Sequence, residues 1–391
     1  MKKTTRLTHA GNDPANNHGI INPPVYHAST IALPSLEARD ERSKVRYDEG
    51  VYAYGLDGTP TQEAFEKAVS VLEGGDRTVA LPTGLAAVTV AILAFVKTGD
   101  HVLMVDTAYQ PTRDFCNRVL KNFDVEVTYY DPMIGAGIAE LMRPETKVVF
   151  CESPGSLTFE VQDMPAIVDA AHAGGAKVII DNTWSAGFFY QPLAQGVDLS
   201  LQAATKYIGG HSDVMLGTIS MRAELYRRVK STAMVYGFHA APDDCFLGLR
   251  GLRSLSARLP RHEKGALEIA HWLESRPEVA AVYHPALPSC PGHEIWKRDF
   301  TGSCGLFGFL LKDDYSDAAV ADFVDNMDLF TIGASWGGYE SLILRQRPET
   351  CRTAKPWTEK GAVIRLHIGL EDPDDLRADL EAGFARLAVA S

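Results

Sequence analysis

An α/β fold built on a mostly parallel sheet is predicted by two patterns in this 391-residue chain. Between residues 77 and 203, short and nearly continuous apolar runs alternate with helix-length segments, as expected of strands covered on both faces. Beyond residue 252 the rhythm changes to helix, two strands, helix, strand and a last helix, which predicts a smaller α+β unit. The expected organisation is an N-terminal arm (1–58), a large domain (59–252) and a small domain (253–391).

The elements follow in order. Residues 1–58 are irregular, rich early in Asn, Pro and His, and end in "YDEGVYAYGLDG". With little core of its own, such an arm is expected to complete a neighbouring subunit. A helix then starts sharply at "TPTQEAFEKAVSVLEGG": Thr59 is the N-cap, Pro60 the first helical residue, Gln62 completes a capping-box spacing, and Gly74-Gly75 end it. "RTVAL" leads to a helix near Gly84, and "HVLMV" to one around Pro111 to Lys121. "VEVTYY", "KVVFCE", "KVIID" and "LSLQA" are further strands, with the helix "MPAIVDAAHAGG" between the second and third. The remainder reads as helix "GALEIAHWLES", strands "AAVYH" and "GLFGFLL", helix "DAAVADFVDNM", strand "VIRLHIGL" and a last helix.

Composition narrows the function. Fifty acidic against 38 basic side chains, a net charge of -12, leave no footprint for nucleic acid or anionic lipid. "RLPRHEK" reads as a solvated helix face. The longest apolar run, "LAAVTVAILAFV" (Leu85 to Val96), is too short to cross a bilayer, so no membrane partner is expected. "MKKTTRLTHAGNDP" lacks the apolar core of a signal peptide. The six cysteines are scattered without metal-ligand spacing and read as thiols of a reducing cytoplasm, with no metal site expected.

The chemistry gathers where strands end. "SLQAATKYIGGHSD" places one lysine, Lys206, in a largely apolar stretch just after a strand. An amine in such surroundings has a lowered pKa and can condense with an aldehyde. Pyridoxal phosphate held this way requires an acid at its ring nitrogen, a phosphate cup and an aromatic ring over its face. Asp181 of "IIDNTW" follows a strand and supplies the acid. Thr83, Gly84 and Leu85 of "LPTGLAAVTV" open a helix, whose free N–H groups and dipole favour phosphate. Tyr109 of "DTAYQP" supplies the ring.

With those residues in order, "DLSLQAATKYIGGHS" resembles the lysine signature of the Cys/Met-metabolism family of pyridoxal-phosphate enzymes, fold type I. "YGLDGTPT", "LEGG", "GDHVLM", "TAYQP", "ESPGS", "IDNTW", "ASWGGYESL" and "IRLHIGLED" fall in the family's order along essentially the whole chain. "YYDPMIGAGI", "HPALP" and "WKRDFTGSCGLF" are most similar to its bacterial beta-lyase branch. The resemblance implies a PLP-transferase-like seven-stranded sheet and pyridoxal 5'-phosphate as cofactor. It also implies a small amino-acid thioether substrate, and a homotetramer (a dimer of dimers) with shared active sites. Lys206 then resembles the cofactor-binding lysine, Asp181 the ring-nitrogen partner and Tyr109 the stacking tyrosine. Gly84, Leu85 and Thr205 resemble phosphate contacts, and Tyr54 the tyrosine donated across the dimer. Arg365 resembles the fork for the substrate α-carboxylate, with Ser335 and Trp336 beside lysine and substrate. Asn182, Trp184 and His211 are expected to shape the surroundings of the site. The implied activity is α,β-elimination of cystathionine. Gamma-lyase, gamma-synthase and acyl-homoserine sulfhydrylase chemistries of the same family remain open, as do side activities on cysteine or alanine.

Three positions depart from the family's pattern. Ala203 stands where relatives often have serine, and Leu56 and Asp57 follow the "YG" where relatives carry one or two arginines. Asp57 is expected either to face the distal end of the substrate or to face solvent.

Overall fold

The computed structural model describes residues 1–312 and 315–389. The arm carries α1 (Lys3–His9) and α2 (Leu36–Lys44), and leads to α3 (Pro60–Glu73). Thr59 and Gln62 form the expected capping box on α3, and Gly74 ends it in the left-handed region at φ 70°. Next come β1 (Arg77–Leu81), α4 (Gly84–Leu93), β2 (His101–Val105) and α5 (Gln110–Asp114), the last continued by a π-helical turn over Phe115–Leu120. β3 (Glu126–Tyr130), β4 (Thr146–Glu152), α6 (Met164–Ala173), β5 (Lys177–Asp181), β6 (Leu199–Ala203) and β7 (Gly217–Met221) complete the first sheet.

The seven strands run in the order β1-β7-β6-β5-β4-β2-β3. The neighbours from β6 to β3 are parallel, and β7 alone runs antiparallel, to both β1 and β6. β7 is a strand that sequence reading left out, and it reverses direction to seat β1 beside β6. The carboxyl ends of β1, β2, β4, β5 and β6 therefore share one edge, which is where an open α/β sheet keeps its ligand.

After α7 (Ala223–Val235) comes α8 (Pro242–Glu274), a helix of 33 residues with Pro260 inside it. Then follow β8 (Val279–Tyr283), α9 (His293–Asp299), β9 (Leu306–Leu311), α10 (Asp317–Asp325), β10 (Thr331–Ile332), β11 (Leu342–Gln346), β12 (Val363–His367) and α11 (Pro373–Val389). The second sheet has the order β10-β11-β12-β9-β8 and is antiparallel except for β10 with β11. β10 and β11 were not anticipated from sequence. β10 is only two residues long, and β11 is interrupted by the charged Arg345.

The expected boundary between residues 252 and 253 needs correction, because it falls inside α8. Cys245, Leu249, Leu252, Leu255 and Leu259 pack in the core of the large sheet, while Ala266, Ile269, Ala270 and Leu273 pack in that of the small one. The apolar period of 3–4 residues runs on through the helix, so nothing local marks the change of core. The arm has one buried residue in α1, Leu7, and none in α2. Lys3 ties α1 down by donating to the carbonyls of Gly187 and Phe188 (2.6 and 3.0 Å). Arg253 does the same through Leu7 O (2.8 Å) and Asn12 Oδ1 (2.5 Å).

Candidate active site

β6 ends at Ala203 and the chain turns, placing Lys206 at the shared strand edge, half-buried. Its Nζ donates to Ser335 Oγ at 2.8 Å and lies 5.4 Å from the centre of the Trp336 ring. Burial, reinforced by the Arg365 guanidinium and opposed by Asp181, lowers the amine to about 8. Gly337 explains the close fit of the Ser335–Gly337 loop. A Cβ there would meet Lys206 Cα at 3.0 Å, and its φ of 83° is one that glycine adopts freely.

Asp181 ends the neighbouring β5. Its Oδ1 accepts from the Thr183 N–H (3.0 Å) and the Thr183 hydroxyl (2.5 Å), and that hydroxyl in turn accepts from the N–H of Ala203 (2.9 Å). Thr183 thus clamps the ends of β5 and β6 together and leaves Oδ2 of Asp181 for a partner. Burial pushes this carboxyl up, while Thr183 and Lys206 act to hold it down.

At the start of α4, the Thr83 side chain accepts from Ala86 N at 3.0 Å. A helix cannot use its first N–H groups itself, so those of Gly84 and Leu85 face the same edge without an intrahelical acceptor. A Cβ on Gly84 would stand 2.6 Å from Ala203 Cβ. Ala203 and Gly84 are therefore small for one reason: they let the helix start approach β6. Thr205, expected as a phosphate contact, has its hydroxyl between Leu216 O (3.2 Å) and Leu216 N (2.9 Å), locking the turn before β7.

Tyr109 follows β2 with half of its surface exposed (50%), so its ring is open to a ligand. Arg365 comes from the middle of β12 and donates through Nη2 to the carbonyls of Gly333 (3.0 Å), Ala334 (3.4 Å) and Ser335 (3.1 Å). Burial lowers it to about 10, still charged at neutral pH. Asn182 and Trp184, just after Asp181, are buried. Asn182 Nδ2 donates to Glu73 Oε2 (3.2 Å), and Trp184 Nε1 to Leu306 O in the small domain (2.9 Å). His211 is exposed in the turn after Lys206, where its Nδ1 meets Gly209 O at 2.8 Å.

The arm residues behave differently. Tyr54 is 48% exposed, is bridged through its backbone to Thr30, and accepts the Asp57 N–H at its carbonyl (2.9 Å). Asp57 does not face solvent, one of the two orientations expected for it. It is buried, and both of its oxygens accept from Arg46 Nε at 2.8 and 2.9 Å. Sequence reading missed this pair because Arg46 lies 11 residues upstream in irregular chain. It also gave no role to Glu152, the first residue of "ESPGS", which ends β4 beside Asp181.

A lysine amine, an acid, an open aromatic ring and a helix start converge on one sheet edge. They suit a cofactor with an aldehyde, a ring nitrogen and a phosphate, and the fold and site together define a pyridoxal-phosphate enzyme of fold type I. The chain belongs to the Cys/Met metabolism PLP-dependent enzyme family, whose model matches residues 4–385. It is similar to cystathionine beta-lyase MetC of Escherichia coli (46% identity, covering 99% of each chain). It is also similar to the L-alanine/L-glutamate racemase of Wolbachia pipientis (39% identity over 99% of this chain and 98% of that one). Among solved structures it matches cystathionine gamma synthase from Xanthomonas oryzae in complex with cystathionine, at a TM-score of 0.90 and 31% identity over the full length of both chains.

Proposed function

We propose that the chain is a carbon–sulfur lyase that takes cystathionine and water to homocysteine, pyruvate and ammonia. The observation that carries this reading is Lys206: a single amine, lowered to about 8, set between Asp181 and the Arg365 loop. Bound pyridoxal phosphate supplies the aldehyde that captures the substrate amine and the ring that takes up the electrons of the Cα–H bond. Asp181 Oδ2 would keep the ring nitrogen protonated. The Thr83–Leu85 helix start would hold the phosphate, and the Tyr109 ring would cover the cofactor face. The unused nitrogens of Arg365 fix the α-carboxylate, since only Nη2 is committed to the Gly333–Ser335 carbonyls.

With the cofactor bound, Lys206 Nζ would remove the Cα proton and deliver a proton to the departing sulfur. Ser335 Oγ steers that amine by accepting its hydrogen bond. Tyr54 of the partner subunit completes the site, in keeping with the exposed apolar residues of the arm (Ile20, Ile21, Tyr26 and Leu36). The working assembly is a homotetramer in the cytoplasm. Among the described residues, no helix is long and apolar enough to cross a membrane.

Product identification after incubation with cystathionine tests the assignment. Pyruvate supports it, and 2-oxobutyrate would move the chain to the gamma-lyases. Racemisation of alanine faster than pyruvate release from cystathionine would move it to the chemistry of its Wolbachia relative.

A further inference from the structure

Glu152 is a buried acid that the mechanism above does not use. It is the last residue of β4, 8% exposed, and stands in register opposite Asp181 on the adjacent parallel strand. Its Oε2 accepts the backbone N–H of Tyr109 at 2.7 Å, and its Oε1 is hydrogen-bonded to the Ser156 hydroxyl. Among the described residues it forms no ion pair. Two carboxyl groups side by side at a strand edge, Glu152 buried and Asp181 partly buried, with no cation shared between them, disfavour carrying charge together.

The surroundings decide which one keeps the proton. Asp181 Oδ1 receives two donors from Thr183, and the carboxyl faces the Lys206 amine. Glu152 is the more deeply buried of the two; the backbone N–H groups of Tyr109 and Ser156 act on it, and its contact with the Ser156 hydroxyl can run either way, since a hydroxyl accepts as well as donates.

We propose that Glu152 is a neutral carboxylic acid in the working enzyme, a positioning residue whose Oε1–H donates to Ser156 Oγ while Oε2 holds the Tyr109 backbone. It fixes the ring that covers the cofactor and leaves Asp181 as the only negative charge at the ring nitrogen. This rests on the cofactor reading of Asp181 given above.

Burial and the neighbouring Asp181 push Glu152 up to about 8, so it is protonated at neutral pH. The titratable groups facing it are Asp181 from β5 and the Tyr109 phenol from the loop after β2. Lys206 acts on Asp181, and Arg365 acts on Tyr109. Ser156 and Gln162, from the chain after β4, are its neutral neighbours; Gln162 Oε1 accepts the Glu152 N–H at 3.1 Å. As pH rises through about 8, a second negative charge forms beside Asp181 and loosens the cofactor.

Glutamine reproduces the neutral acid, since its amide can donate to Ser156 and its carbonyl can accept from Tyr109. The test compares pyridoxal-phosphate Kd and visible absorbance for wild type, Glu152→Gln and Glu152→Ala from pH 6.5 to 9.5. Glu152→Gln is expected to keep Kd within about twofold of wild type at pH 7, and Glu152→Ala to weaken it about tenfold by orphaning the Tyr109 N–H. The wild-type rise in Kd above pH 8 should be absent in Glu152→Gln. A Gln variant that loses cofactor at pH 7 as the Ala variant does, or that keeps the alkaline rise, overturns the proposal. If the Ala variant does not fold, the Gln variant and the pH series still decide. Failure of the cofactor reading itself would show separately, as an Asp181→Asn variant indistinguishable from wild type.

Discussion

The carboxyl edge of the large sheet and the N-terminal arm are built on opposite plans. At the sheet edge four candidate site residues are held by their own chain: the side chains of Lys206 by Ser335, Asp181 by Thr183 and Arg365 by three carbonyls, and the backbone of Tyr109 by Glu152. On the arm, Tyr54 has no side-chain hydrogen bond among the described residues, and Leu36 and Ile21 stand 77% and 66% exposed. The first region is preorganised by folding. The second presents apolar surface that the proposed assembly would cover. On that reading, folding alone places the cofactor chemistry, and assembly would complete it.

The largest effect expected comes from breaking the preorganised side. Lys206→Ala should remain folded, lose the yellow colour of bound cofactor and lose at least about 10³-fold in pyruvate formation, because one amine both binds and moves protons. Sustained steady-state turnover by that variant sinks the assignment. Asp181→Asn should still bind cofactor but turn over about 10²-fold more slowly, since an amide cannot hold the ring nitrogen charged. Its kcat at saturating cofactor is the measurement.

Mixing sharpens the contrast between the two regions. Lys206→Ala and Tyr54→Ala should each be nearly inactive alone. Refolded together, they should recover up to about a quarter of wild-type sites, because random pairing in a two-fold dimer leaves some sites with both residues intact. No recovery would mean that Tyr54 serves the site of its own chain.

A smaller effect concerns the pH of cofactor capture. The Lys206 amine is depressed to about 8 from 10.5, so capture, which needs the neutral amine, should accelerate as pH rises through 8 and level off above it. Stopped-flow absorbance of apoenzyme mixed with cofactor reads this directly. The smallest effect belongs to the arm. Asp57→Asn should lower stability by about 1–3 kcal/mol through the loss of the Arg46 pair. It should leave the preference for cystathionine over cysteine unchanged, as read from the ratio of the two kcat/KM values.

The two regions also differed in how far the sequence could be read. Lys206, Asp181, Gly84 and Tyr109 were legible because each follows directly on a strand or opens a helix, and strand ends are marked locally by apolar runs. Ser335 and Arg365 were reached through the motifs around them, and the structure brings both to the amine. Glu152 was passed over although it too ends a strand, because its meaning depends on standing opposite Asp181, and lateral register is not written in either strand. The Arg46–Asp57 pair was passed over for a similar reason: Arg46 comes from chain without periodicity. The 252/253 boundary failed because an amphipathic helix carries no sign of which core each turn faces.

That helix has a consequence of its own. At 33 residues α8 runs about 50 Å, with its first half packed in one core and its second half in the other. Neither half of the enzyme can be excised, swapped or inherited as a free-standing module. A cut anywhere between residues 242 and 274 strips a sheet of its covering helix. Limited proteolysis should accordingly trim the arm and surface loops long before it parts the two sheets. Any rocking of the small domain over the cofactor has to pass through one stiff member, whose natural place to bend is Pro260.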